Sequence, residues 1–528
     1  MKRIIRQILG WGMMLTLPLM MTSCEWFFDM LDNPITPALQ VLRAQLTLKV
    51  GESKPIQAST QAHVVLLYSS DNPAVATVDA EGVVTAIAEG TTTITIKAQG
   101  EDEYYRTEIF DENTKTIEVT VIPAKAAGSI SFAAASVSKQ YGDANFTNPL
   151  SIVGDGVVNY SSSNAEVATV DATTGEVTIV GSGTANITAT IADGDGYAYE
   201  TKSVSYTLTV IRLVNLSTLT SDFIAKDCYI LTGTLAGNYK ISIAAGASVE
   251  LKDVTINGVN SSSYKWAGLT CLGDANITIT GANSVKGFYD FCPGIQAGPV
   301  GTTLTINGTG SLTATGGDFA AGIGSGYNGS SCGNITISGG TVNASSSKDG
   351  AGIGSGYSNS SCGAITISGG TVTASSSKYG AGIGSGYYNS SCGAITISGG
   401  TVMASSGADG AGIGSGCNGS SCGAITISGG TIAAISIDEG AGIGGGDDSA
   451  FGSITITAGI TQVQATRNDS AAWPIGKAGH DNDSGAVIIN GVTVTSNTWD
   501  GTGLTGLNFA TSSTGGKNLT WTLTPKVP

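Results

Sequence analysis

From Val214 onward the apolar positions recur at a long fixed period. "AGIGSGYSNSSCGAITISGG" runs from Ala351 to Gly370, and "AGIGSGYYNSSCGAITISGG" runs from Ala381 to Gly400. The same line starts at Ala321 and Ala411 and, more loosely, at Ala441. Each copy holds three short stretches between turn residues, such as "AGIGSG" (351–356), "AITISG" (364–369) and "TVTASS" (371–376). Glycine interrupts every possible helical run, and each stretch is long enough for a strand. An exact period over several copies marks a stacked repeat. Three strands per turn, with like turns stacked, predict a three-sided parallel β-helix of about 30 residues per coil.

The columns give the phase of each strand. Ile353, Ile383 and Ile413 share one position; Ile365, Ile395 and Ile425 a second; Ile367, Ile397 and Ile427 a third; Val372, Val402 and Ile432 a fourth. Period-two alternation turns these inward and Thr366 outward. Parallel strands lie about 4.8 Å apart, so side chains in a column touch their copies. Gly369 and Gly370 suit a sharp corner. Looser coils flank the clean ones, from "KISIAAGASVELKDVTING" to "SGAVIINGVTV". With them the rod reaches roughly nine coils, about 40 Å. Imperfect end copies and the final "LTWTLTPKV" fit caps.

The region before Val214 alternates at period two. Tyr68 to Ala98 reads "YSSDNPAVATVDAEGVVTAIAEGTTTITIKA", and Tyr160 to Thr190 reads "YSSSNAEVATVDATTGEVTIVGSGTANITAT". Gly82, Gly90, Gly175 and Gly183 mark turns. The shared SS-x-N-x-x-VATVD, G-x-V-T and G-x-x-x-I-T elements resemble the bacterial group 2 immunoglobulin-like domain. The resemblance implies two tandem β-sandwiches, residues 44–123 and 125–212, as in adhesins and other surface proteins. The whole chain is therefore expected to be all-β, with residues 213–528 as the β-helix and its C-terminal cap.

Composition sharpens this picture. The chain has 528 residues, 41% hydrophobic and 12% charged, with 76 glycines in no three-residue period. That excludes a disordered chain and collagen. A net charge of −16 argues against a nucleic-acid partner. "MKRIIRQ" followed by "ILGWGMMLTLPLMM" has the layout of a secretory signal. The "MTSC" that follows resembles the lipobox of bacterial lipoproteins. The resemblance implies cleavage after residue 23, lipidation of Cys24 and, with Glu25 rather than Asp next, an outer-membrane address. Residues 24–43 read as a linker.

Candidate chemistry is sparse. Tyr327, Tyr357 and Tyr387 share a column that Cys417 breaks. A row of rings suits sugar faces, or else covers a corner of the core. Cys332, Cys362, Cys392 and Cys422 form another column, with a buried thiol ladder or disulfides between adjacent coils as alternatives. Asp447 with Asp448, and Asp481 with Asp483, lie in loops that read first as solvated turns and alternatively as Ca²⁺ ligands; no other cofactor is expected. "GIGSG" recurs in every coil with no helix after it, so it reads as a turn and not as a nucleotide loop. The rhythm of the β-helix resembles the pectate-lyase-like superfamily, and within it non-catalytic carbohydrate-binding β-helices. No carboxylate cluster or base of the lyases maps onto these coils, and no catalytic residue is assigned. The expectation is a lipid-anchored surface protein that binds a polysaccharide or host glycan. A β-helical lyase or hydrolase, and a structural adhesin contacting protein, are the rivals.

Overall fold

The computed structural model describes residues 38–526 apart from 61–63, 101–108, 125–127, 192–201, 470, 481–483 and 515–516. It is all-β; among the described residues the only helical element is the 3₁₀ turn Leu216–Thr218. No helix among them is long and apolar enough to cross a membrane. The chain divides into two compact units. One comprises the described parts of Met1–Ser131, Leu150–Val158 and Thr190–Ser203; the other comprises those of Phe132–Pro149, Asn159–Ala189 and Val204–Pro528.

In the first immunoglobulin-like module, Gln45–Lys49, Ile109–Ile122, Gly90–Gly100 and Val64–Ser70 form a four-stranded sheet. Ser53–Pro55, Val83–Ala86 and Ala76–Val78 form a three-stranded one. Alternation drives Ile94, Ile96 and Ala98 into a core with Leu48, Val84 and Val119. Leu39–Val41, within the stretch read above as linker, is a strand paired with Ala58–Thr60, and Leu39 is buried. Three residues are too few for alternation to reveal. The second module has its own core, which includes Val167, Val177, Ile187, Tyr206 and Leu208. The two modules repeat one device. The Tyr68 ring lies where a Cβ on Gly82 would stand, 2.6 Å from it, and Tyr160 covers Gly175 likewise at 2.8 Å. Both glycines have positive φ, +79° and +72°, so the turn and the ring together require glycine.

The β-helix follows the columns read from the sequence. Ile365, Ile395 and Ile425 pair in parallel register, as do Val372, Val402 and Ile432. The Ile side chains are fully buried and continue one apolar core from Val214 to Leu523. Among the described residues the face carrying Ile353–Gly354 stacks ten strands. Gly354 has φ +137°, and a Cβ there would come within 1.8 Å of the Gly384 carbonyl oxygen. From Ile323 on, glycine therefore follows each Ile of this face, whereas Gln296 holds that place after Ile295. The buried Ser355 hydroxyl accepts the Gly386 N–H of the next coil at 3.0 Å, which explains the serine in "GIGSG". Ile353–Gly354 is thus a strand, as the stretch 351–356 predicts, although "GIGSG" taken alone reads as a turn. A fourth short strand, Ser361–Cys362, sets Cys362 against Cys392 and then Cys422. The four cysteines of this column are buried free thiols.

At the C-terminal end, Lys517–Pro525 pairs antiparallel with Gln462–Arg467 and with Leu507–Thr514, and Trp521 and Leu523 close the core. Near the other end, Thr207–Ile211 pairs with Ser136–Gln140, and the next residues, Arg212–Asn215, pair with Tyr229–Thr232. One strand, Lys202–Asn215, therefore belongs both to the second module and to the β-helix.

Candidate functional site

Two adjacent columns line one corner of the β-helix. The first holds Tyr327, Tyr357, Tyr387, Cys417 and Asp447. The second holds Phe291, Phe319, Asp349, Tyr379, Asp409 and Glu439. Backbone bonds tie them coil to coil: Tyr357 N–H to Phe319 O, Tyr387 N–H to Asp349 O, Cys417 N–H to Tyr379 O and Asp447 N–H to Asp409 O, all 2.8–3.1 Å. The corner is aromatic over its earlier coils and acidic over its later ones.

The three predicted tyrosines come together. Tyr327 and Tyr357 stack with centroids 5.5 Å apart and planes 13° apart; Tyr357 and Tyr387 stack at 5.3 Å and 21°. Phe291 extends the stack, 4.4 Å from Tyr327. Phe319, Tyr379 and Tyr388 flank it, 5.5 Å from Tyr357, 5.0 Å from Tyr387 and 6.0 Å from Tyr387 respectively. Two near-parallel rings at such separations are offset stacks, since coplanar rings would overlap. Each ring therefore covers part of its neighbour's face, and what reaches solvent is a row of ring edges and phenol hydroxyls. Tyr388 is the most open at 40% exposure. Just beyond each ring the chain turns through left-handed residues, Asn328, Ser358 with Asn359, and Tyr388 with Asn389. Asn and Gly tolerate that conformation, which explains "YNGSS" and its variants. Asn418 donates to the Tyr387 hydroxyl at 3.2 Å.

Sequence reasoning missed Phe291, Phe319, Tyr379 and Tyr388 as members of this corner. Phe319 stands at the thirty-residue spacing from Asp349, so the column was available; Phe291 sits 28 residues before Phe319 and falls outside a strict period. Asp349 lies within the aromatic part, 9% exposed, with its Oδ1 unpartnered. Burial raises its pKa, against the pull of Lys378 and Lys348. Burial also raises the Tyr357 phenol.

In the acidic part Asp447 meets groups from two coils. Its Oδ1 is 2.9 Å from His480 Nδ1, and Glu439 Oε2 is 3.8 Å from the same nitrogen. The ligand atoms of Glu439, Asp447 and His480 all lie within 4.8 Å of one another. One imidazole with two carboxylates would suit a first-row transition metal better than the Ca²⁺ weighed above. The hydrogen bond to Asp447 raises His480, and a shared hydrogen bond with Asp447 raises Glu439. Asp481 and Asp483, like Cys24 and the leader, lie outside the described residues.

The domain models agree with this architecture. The bacterial Ig-like domain of group 2 matches residues 35–105, the intimin immunoglobulin-like domain matches 144–193, and the beta helix repeat matches 304–327, 335–357, 365–387, 395–417 and 425–447. The chain thus carries immunoglobulin-like modules followed by a β-helix, the makeup of a surface or adhesin-like protein. No curated protein matches the sequence. Among solved structures, domains 4 and 5 of the S-layer protein SbsC match at 22% identity over 33% of this chain and 98% of that one, with a TM-score of 0.16. Human protocadherin-24 EC1-2 matches at 15% identity over 34% and 99%, with a TM-score of 0.19. Drosophila N-cadherin EC1-4 matches at 12% identity over 36% and 55%, with a TM-score of 0.15.

Proposed function

We propose that this chain is a cell-surface adhesion protein that binds a polysaccharide or host glycan along the aromatic corner of its β-helix. The observation that carries the reading is the ring row itself: partly exposed aromatics repeated coil after coil, edged by asparagine and serine loops. Its repeat is close to the length of one sugar unit in an extended chain. Because the rings cover one another, recognition runs through phenol hydroxyls, amides and ring edges, with the face of Tyr388 as the most open apolar platform. The immunoglobulin-like modules act as a stalk, and lipid on Cys24 holds the protein in the outer membrane.

The test presents the full chain to a panel of immobilised polysaccharides. At least one should bind, and Tyr357→Ala with Tyr387→Ala should weaken it about tenfold, a loss of roughly 1.4 kcal/mol, while β circular dichroism is kept. Undiminished binding by a folded double variant, or release of cleaved sugar, overturns the reading. Cys24→Ser should shift the protein from the membrane fraction to the soluble one; retention in membrane refutes the anchor.

A further inference from the structure

One inward column changes identity at the last coil. Gly316, Ser346, Ser376, Ser406 and Ser436 follow one another in register. The hydroxyls return to backbone carbonyls, for instance Ser376 to Lys348 O at 2.7 Å and Ser436 to Gly410 O at 2.9 Å. Gln462–Arg467 pairs with Thr431–Ser436 up to Ile435 against Thr466, so Arg467 takes the next serine's place. It is 7% exposed. Its Nη1 donates to the Asp469 carbonyl, while its Nε has no partner. A guanidinium carries five N–H donors, and a buried cation with an idle donor is costly.

Arg467 lines an open cavity of about 480 Å³ in the C-terminal cap. Trp499, Phe509 and Trp521 pack on one another along its wall, with ring centroids 4.9, 5.9 and 5.5 Å apart. Asn497, Thr498 and Asp500 add polar groups to its wall. We infer that this cavity is a binding site for a carboxylated sugar residue, with the carboxylate on Arg467 and the ring against Trp499. A guanidinium prefers a planar carboxylate acceptor, and the partly exposed Trp499 suits the apolar face of a sugar. Asp500 stays ionised because the Thr502 hydroxyl and N–H bond to it and hold it below the usual range. It and Asn497 are then acceptor and donor for sugar hydroxyls.

The experiment measures binding of a glucuronate oligosaccharide and of the corresponding glucose oligosaccharide to the full chain by calorimetry. The acidic sugar should bind at least tenfold tighter than the neutral one, weaken with added salt, and lose at least tenfold in affinity in Trp499→Ala and in Arg467→Gln. Should Arg467→Gln fail to fold, Trp499→Ala and the neutral sugar decide. Equal binding of the two sugars, or a folded Trp499→Ala that binds as before, overturns the inference. The Tyr357→Ala/Tyr387→Ala variant separates the two sites: it should keep the acidic sugar, and loss there with retention in Trp499→Ala assigns the binding to the corner instead.

Discussion

Ile395 and Thr396 are neighbours that face opposite ways. Ile395 is fully buried against its copies Ile365 and Ile425, whereas Thr396 is partly exposed. Ile395→Asp places a charge in an apolar ladder with no partner and should cost about 3 kcal/mol or more. Thr396→Asp should cost far less. Unfolding midpoints compare the two, and equal losses would show the strand phase to be wrong. Asp349 gives a second residue-scale test. Burial raises its pKa in the folded state, so the folded protein holds its proton to higher pH than the unfolded chain. Stability therefore falls as pH rises from the usual carboxylate value through the raised one. Asp349→Asn should raise the melting temperature at neutral pH, and the gain should vanish in acid, where both forms are uncharged. A gain that persists unchanged in acid would contradict this.

At the scale of the element, the cysteine column offers a chemical readout of the stacked strands. Cys362 and Cys392 are raised well above a free thiol; the Cys332 contact is the leading cause for Cys362 and the Cys422 contact for Cys392, with burial next. The native protein should leave both unlabelled by a thiol reagent, and full labelling should appear only on unfolding. Labelling at native rates, or a mass lower by two hydrogens per pair in protein kept oxidised, would establish exposure or a disulfide. These columns were legible because a parallel coil demands one residue type per angle, and the thirty-residue line writes it out. The inward Ile columns, the outward Thr and the capping role of "LTWTLTPKV" all followed from that. The rest depended on irregular coils. Arg467 lies 31 residues past Ser436, Phe291 lies 28 before Phe319, and His480 lies 33 after Asp447, so no fixed period aligns them. Leu39–Val41 is shorter than a readable alternation.

At the scale of the whole molecule, the aromatic corner, the acidic group and the cap cavity all rest on one repeated coil, and each arises where the line is varied. The apolar columns barely change from copy to copy, while the corner positions change from Phe to Tyr to Cys to Asp. Packing constrains the interior, and the rim is free to carry chemistry. The strand Lys202–Asn215 also removes any loop between the second module's sheet and the first coil. The Arg212 guanidinium lies over Tyr141 at 4.6 Å and over Tyr229 at 5.5 Å, one ring from each side of that passage. Arg212→Ala should lower the unfolding midpoint by a degree or more through loss of both contacts. An unchanged midpoint would show that the shared strand alone secures the passage.

The coil-to-coil register has a consequence for inheritance. Gly350 precedes Ala351 as Gly380 precedes Ala381, so excising the segment 351–380 joins a glycine to an alanine in the same setting. Every inward column stays continuous, and both ends of the rod keep their own caps. Where the encoding DNA is as repetitive as the protein, recombination between copies would add or remove a whole coil without passing through a misfolded intermediate length. The length of the β-helix, and with it the number of rings along the corner, could then change by whole coils while the sequence of every remaining coil is left intact.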